Sequence, residues 1–159
     1  MDILAHFLWT FGIYWQHPKR WIAGVIGFMP DIVSFGPHFM LSIARGVELG
    51  KPHDIPSYIY AVYSISHSLV ICAIGLFLLW HFAKNWFWLS FGWPLHILID
   101  IPTHTDAFFP TPIFWPISGF EVSGISWATG WFMAMNYGLL AVLYAWLVLK
   151  VPRINGYHT

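Results

Sequence analysis

One run of the chain, His96-Ile97-Leu98-Ile99-Asp100-Ile101-Pro102-Thr103-His104, places two imidazoles and a carboxylate at intervals of four. On a helix that interval stacks His96 over Asp100 on one face, a single turn apart. Pro102 disfavours helix at Ile101 and removes a donor from the next turn, so His104 is expected just past a kink, folded back toward Asp100. Such a set suits Zn²⁺ or another first-row ion. Three more candidate ligands stand in apolar surroundings: His6, Asp31 directly after Pro30, and His67 within Ser64-Ile65-Ser66-His67-Ser68. An ionisable side chain at bilayer depth costs about 2.5 kcal/mol or more, so intramembrane His and Asp residues are functional candidates by default. Helix rise puts Asp31 and His96 roughly 15 Å from one face and His67 roughly 18 Å from the other, with His6 and His104 shallower. One cavity in the middle to outer half of a bundle can therefore hold them all.

Each has a plainer reading. A lone histidine is commonly a hydrogen-bonded core residue or an interfacial anchor, and Asp31 after a proline can cap a restarting helix. His96, Asp100 and His104 resist that reading, because three buried polar groups without a cation are costly. Asp2 reads as an N-cap or a residue at the water boundary, and His17, His38, His53, His81 and His158 as interfacial histidines near helix ends or loops.

The elements that must position these residues are set by composition. Of 159 residues, 58% are hydrophobic and 9% charged, too little polar surface to coat a water-soluble particle. Eleven Trp, fourteen Phe and seven Tyr supply an aromatic load typical of the headgroup layer. The expectation is a single all-α domain over residues 1–159, a polytopic membrane helix bundle of about five apolar segments, some kinked or broken. Residues 128–149 carry no formal charge and reach roughly 33 Å as a helix, enough to cross. Residues 55–80 form a second uncharged run long enough to span with tilt. Residues 21–44 contain Pro30, Asp31 and Pro37, and residues 85–101 contain Pro94 and Asp100, so both are expected to be bent or interrupted. Residues 3–15 are too short for a full bilayer.

If all five traverse, Lys19, Arg20, Lys84, Lys150 and Arg153 share one face, and Arg45 and Lys51 the other, with Glu48, Asp54, Asp106 and Glu121. The positive-inside rule makes the first face cytoplasmic, together with the C-terminus, and puts the connection at 102–126 outside. The N-terminal stretch lacks a basic n-region and a small-residue cleavage site, so it is expected to remain in the mature protein. Cys72, the one cysteine, excludes an internal disulfide, and a formal charge of zero argues against a nucleic-acid partner.

The words Met1-Asp2-Ile3-Leu4-Ala5-His6, Met29-Pro30-Asp31, Ser64-Ile65-Ser66-His67-Ser68-Leu69, the His96 to His104 run, Phe108-Phe109-Pro110-Thr111-Pro112 and Gly124-Ile125-Ser126-Trp127 together resemble the family of membrane-bound metal-dependent hydrolases, also described as LexA-binding inner-membrane-associated hydrolases. More distantly the arrangement is similar to helical zinc-dependent phospholipases C and P1-type nucleases. The resemblance implies a helical protein of a prokaryotic inner membrane whose His and Asp residues bind metal for hydrolysis. Carried over by position, His6, Asp31, His67, His96, Asp100 and His104 are the implied metal ligands. Many members have a second acid two residues after the aspartate of the Pro-Asp pair; here that place is Val33.

The function expected from these residues is hydrolysis, assisted by one or two divalent ions such as Zn²⁺, of an ester or phosphoester on a membrane lipid or lipid-linked substrate. Asp100 or Asp31 is ligand or base, and Glu121, one of two acids in the outer connection, is a further candidate base. The aromatic run 108–120 is expected to pack as a lid or along the interface. The competing expectation is a small transport or sensory protein in which the same residues pass protons or a metal ion without hydrolysis.

Overall fold

The computed structural model describes residues 1–46 and 55–150; Glu48, Lys51, His53, Asp54, Arg153 and His158 lie outside the described residues. The chain folds as α1 (Ile3–Ile13), α2 (Arg20–Ala44), α3 (Ser57–Ser66), α4 (Leu69–Phe82), a single-turn α5 (Lys84–Phe87), a 3-10 turn (Leu89–Phe91), α6 (Gly92–Thr103) and α7 (Gly130–Lys150). No sheet forms among the described residues; Thr105 and Phe108 make an isolated bridge.

By length and apolar composition, α2 and α7 can cross a membrane, and α3 with α4 make a third span if the bent pair is counted as one. With 11 and 12 residues, α1 and α6 reach only about 17–18 Å, short of a hydrocarbon core. The described residues therefore offer two or three candidate spans, fewer than five full crossings. The surface is consistent with spans in lipid: Val33 and Met40 on α2, Phe77 on α4, and Val142 and Leu149 on α7 are exposed. The most enclosed side chains include polar ones, with His6, His67, His96 and Asp100 at 0% exposure.

Three local outcomes differ from simple expectation. First, α2 runs as one helix through Pro30 and Pro37. The Ser34 hydroxyl donates to the Pro30 carbonyl at 2.8 Å, and α1, α3 and α6 pack against α2, support of the kind that lets a buried helix carry proline. Second, the uncharged run 55–80 is broken at His67 and Ser68, where α3 and α4 meet at 54°. No proline or glycine causes this. Ser68 caps α4, its Oγ accepting from the Val70 and Ile71 amides at 3.1 and 3.3 Å and donating to the Trp115 carbonyl at 2.5 Å. The Leu69 amide donates to the Ile113 carbonyl, and Trp93 Nε1 donates to the Ser66 carbonyl at 2.6 Å. Third, α6 continues past Ile101 and Pro102 to Thr103, and His104 follows in extended conformation. The returning segment accounts for this ending: the amides of Gly124, Ile125 and Trp127 donate to the carbonyls of His104, Pro102 and Thr103. A Cβ at Gly124 would sit 2.2 Å from the Pro102 carbonyl oxygen, so only glycine fits there.

Close approach of α1, α2 and α6 sets the site. A Cβ at Gly27 would lie 2.2 Å from Thr10 Oγ1, and one at Gly92 only 3.0 Å from the Ala23 carbonyl. Small residues of this kind let membrane helices pack backbone to backbone. Three hydrogen bonds tie α1 to α7: Trp9 Nε1 to Asn136 Oδ1 at 2.8 Å, Tyr137 to Asp2 Oδ1 at 2.8 Å, and Tyr144 to the Leu8 carbonyl at 2.7 Å. Asp2 is also the N-cap of α1, accepting from the Ala5 amide at 3.0 Å. Beyond the far end of α1, the Tyr14 hydroxyl donates to the Trp88 carbonyl, and burial raises its pKa so that it stays a donor.

Candidate metal centre

Asp31, His67, His96 and Asp100 each offer one ligand atom, and the four atoms lie within 4.8 Å of one another in the interior. They come from three separate places in the chain: mid-α2, the break between α3 and α4, and α6. The helical spacing of His96 and Asp100 brings His96 Nε2 to 3.1 Å from Asp100 Oδ2. The break at residues 67–68 takes His67 out of helical register, and its Nε2 comes 3.0 Å from His96 Nε2, 3.5 Å from Asp100 Oδ2 and 3.5 Å from Asp31 Oδ1. His96 Nε2 stands 3.7 Å from Asp31 Oδ1.

The partners of the other ring nitrogens fix the tautomers. His96 Nδ1 faces the Gly27 carbonyl at 2.8 Å. A carbonyl only accepts, so Nδ1 carries the proton and Nε2 of the neutral ring presents a lone pair. His67 Nδ1 lies 3.2 Å from the Tyr63 carbonyl and 2.8 Å from Ser66 Oγ. Ser34 directs its proton to the Pro30 carbonyl, which leaves its oxygen to accept from Ser66 at 2.8 Å and leaves Ser66 Oγ to accept from His67. His67 Nε2 is then a second lone pair. With both rings neutral, two imidazole lone pairs 3.0 Å apart beside two carboxylates repel one another, and a proton or a metal ion among them relieves that repulsion. Asp100 Oδ2 is buried with no hydrogen-bond partner. Two imidazole nitrogens, two carboxylate oxygens and ring protons held by carbonyl or hydroxyl oxygens fit a borderline divalent ion such as Zn²⁺.

No protein-family model, curated protein or solved structure matches this chain. The site therefore stands on its geometry.

The other expected ligands lie around this core. His6 Nε2 bonds to Asp100 Oδ1 at 2.9 Å, the oxygen other than the one that His67 and His96 approach, and its ring stacks on His96 at 3.7 Å. The amino group of Met1 also contacts Asp100 Oδ1. His104 is folded back so that Nδ1 is 3.7 Å from Asp100 Oδ2 and 3.4 Å from the Tyr63 hydroxyl. Neither histidine belongs to the four-atom group. Glu121 lies on the exposed connection and is not brought into it. His17, His38 and His81 stay outside as well.

Several supporting residues carried no sequence signal strong enough to single them out. Gly27 acts through its carbonyl. Ser34 and Ser66 orient His67, although Ser66 does fall inside the Ser-Ile-Ser-His-Ser word. Tyr63 stacks on His67 at 3.8 Å and donates to the Phe109 carbonyl at 2.9 Å. Phe109 is buried with a left-handed φ of 48°, and Ile59, Tyr63 and Phe35 enclose it. That conformation is uncommon for a bulky residue and persists where packing enforces it. Part of the run 108–120 thus packs inward at Phe109, Thr111 and Ile113, while Phe108, Phe114, Ile117 and Phe120 face out.

A cavity of about 430 Å³ reaches the cluster. Asp31 and His104 line it, under Phe35, Phe39, Phe108 and Phe109.

Proposed function

We propose that this protein is a membrane-embedded, metal-dependent hydrolase, of the membrane-bound metal-dependent hydrolase family, that acts on an ester or phosphoester of a lipid or lipid-linked substrate. The observation that carries the reading is the pair of Nε2 lone pairs aimed, with Asp31 and Asp100, at one point in the interior. His67, His96, Asp31 and Asp100 would hold a divalent ion, with Zn²⁺ the best match to the donors. Such an ion supplies Lewis acidity: it lowers the pKa of water toward ~7 and stabilises charge developing on the attacked oxygen.

The chain's own residues divide the remaining work. The Gly27 carbonyl and the Ser34–Ser66 pair keep both imidazoles in the ligating tautomer. Asp100 is enclosed and braced by His6, a ligand's position. Asp31 belongs to the cluster and also lines the cavity, so it can take a proton from water beside the substrate. Phe35, Phe39, Phe108 and Phe109 limit water and accept an apolar substrate. The cavity belongs to the outer half of the membrane and the end of α7 to the cytoplasmic face, in keeping with the positive-inside distribution. The protein works without nucleic acid.

The test is elemental analysis of protein purified without chelator, followed by hydrolysis of acyl-ester and phosphoester reporters. Bound metal, and turnover lost in His96→Ala while the helical signal and monodispersity are retained, supports an enzyme. Bound metal without turnover favours metal or proton handling instead, and absence of metal under replete conditions rules the reading out.

A further inference from the structure

We infer that the substrate's reacting group is uncharged, an acyl ester of an apolar molecule and not a phosphoester. This rests on the hydrolase reading above and narrows it.

The charge around the site is the first observation. Two carboxylates, Asp31 and Asp100, cancel a divalent ion, and the two ligand imidazoles are neutral in the ligating tautomer. The cavity that reaches them adds a third carboxylate, Asp2, and among the described residues its lining contains no lysine or arginine. The amino group of Met1 lines it too and brings one positive charge, which balances that third carboxylate. The described lysines and arginines sit at helix ends. Along α2, Arg20 lies about 17 Å and Arg45 about 21 Å from Asp31; Lys150 closes the far end of α7. A phosphodiester carries a full negative charge, and sites that take one supply Arg, Lys or a helix N-terminus to match it. Here the N-terminus of α1 lines the cavity but is already capped by Asp2, and the three carboxylates offset the ion and the Met1 amino group, so among the described residues no net positive charge is left to do so.

Depth and wall chemistry are the second observation, independent of the first. Tyr137, which donates to Asp2 at the cavity, lies seven residues from Gly130 at the start of α7, so the cavity is about 10 Å below that end of the span. Ile3, Leu4, Phe35, Phe39, Phe108 and Phe109 make its walls. A second cavity of about 570 Å³ continues from Asp31 along α2 to Ile43, and among the described residues Asp31 is the one charged residue lining it. A charged headgroup would have to leave the interface and enter an aromatic pocket beside carboxylates. A neutral ester linkage pays no such penalty and reaches this depth with its chains along apolar wall. In the reaction the water oxygen bonds to the acyl carbon and the acyl carbon–oxygen bond breaks. One water proton ends on the departing alcohol, and the other leaves with the ionising acid.

The full chain in detergent, loaded with Zn²⁺, tests this in two ways. Native mass spectrometry compares binding of a non-hydrolysable dialkylglycerol ether with that of the same ether bearing a phosphate. Turnover compares p-nitrophenyl octanoate with octyl p-nitrophenyl phosphate, each as its chelator-sensitive rate divided by its rate without protein, so that the intrinsic reactivity of the two esters cancels. The expected result is a preference of about tenfold or more for the neutral partner in both, the scale set by the penalty on a charge at bilayer depth. Equal or better binding and turnover of the phosphate partner overturns the inference and leaves the hydrolase reading standing. Turnover of neither reporter by metal-loaded protein overturns the hydrolase reading, and this inference with it.

Discussion

Replacing Ser66 by alanine should weaken metal binding through His67 without removing a ligand. In the native protein His67 Nδ1 has two acceptors, Ser66 Oγ at 2.8 Å and the Tyr63 carbonyl at 3.2 Å. In Ser66→Ala only the longer contact remains, so the ligating tautomer survives with a weaker brace. Outer partners of metal-bound histidines are worth about 10–100-fold in affinity, and a site that keeps one of two acceptors should fall at the lower end, about tenfold or ~1.4 kcal/mol. The fold should lose little, because Ser34 keeps its bond to the Pro30 carbonyl and a single net hydrogen bond is worth about 1 kcal/mol. The assay is competition for Zn²⁺ against a chromophoric chelator in detergent, with thermal unfolding of the metal-free form alongside. Ser64→Ala, which loses only an exposed bond to the Tyr60 carbonyl, is the control and should bind as wild type. Unchanged affinity in Ser66→Ala, or equal losses in Ser66→Ala and Ser64→Ala, would refute the assignment of His67 as a ligand oriented from Nδ1.

Further outcomes follow from the same geometry. Gly27→Ala forces a Cβ to 2.2 Å from Thr10 Oγ1 and shifts the carbonyl that holds His96, so thermal unfolding should show a loss of about 1–3 kcal/mol and metal affinity should drop with it. Metal affinity should fall as pH is lowered, because protons compete for the same Nε2 lone pairs; with two imidazoles the limiting slope is about 100-fold per pH unit, read from the chelator titration across pH. Glu121→Gln should leave metal content unchanged by elemental analysis, since Glu121 is exposed and outside the cluster.

How far residues foretold structure depended on whether the cause was local. The helix at residues 130–150 was readable because the uncharged apolar run 128–149 is of a length that has few alternatives in lipid. The pairing of His96 with Asp100 followed from helical spacing alone. The unbroken course of α2 was not readable, because Pro30 and Pro37 signal interruption locally and are carried by packing that only the fold supplies. The break at His67 is the reverse case. No helix breaker marks it, and the groups that stabilise it, the Ile113 and Trp115 carbonyls, lie more than forty residues on in the connection. That break is also what turns His67 toward His96, so the fourth side of the site was the least legible part. Of the six ligand candidates read from sequence, four converge. His6 and His104 approach Asp100 at Oδ1 and Oδ2 but stand outside the four-atom group, a difference of position that residue type does not reveal.

A single divalent ion is expected among Asp31, His67, His96 and Asp100. X-ray absorption at the zinc edge of protein purified without chelator tests it most directly. One zinc per chain is expected, with a first coordination sphere of two imidazole nitrogens and oxygen, in which His67→Ala and His96→Ala each remove imidazole scattering. Protein that holds no metal under zinc-replete conditions, or a bound zinc whose spectrum is unaltered in both variants, would contradict it.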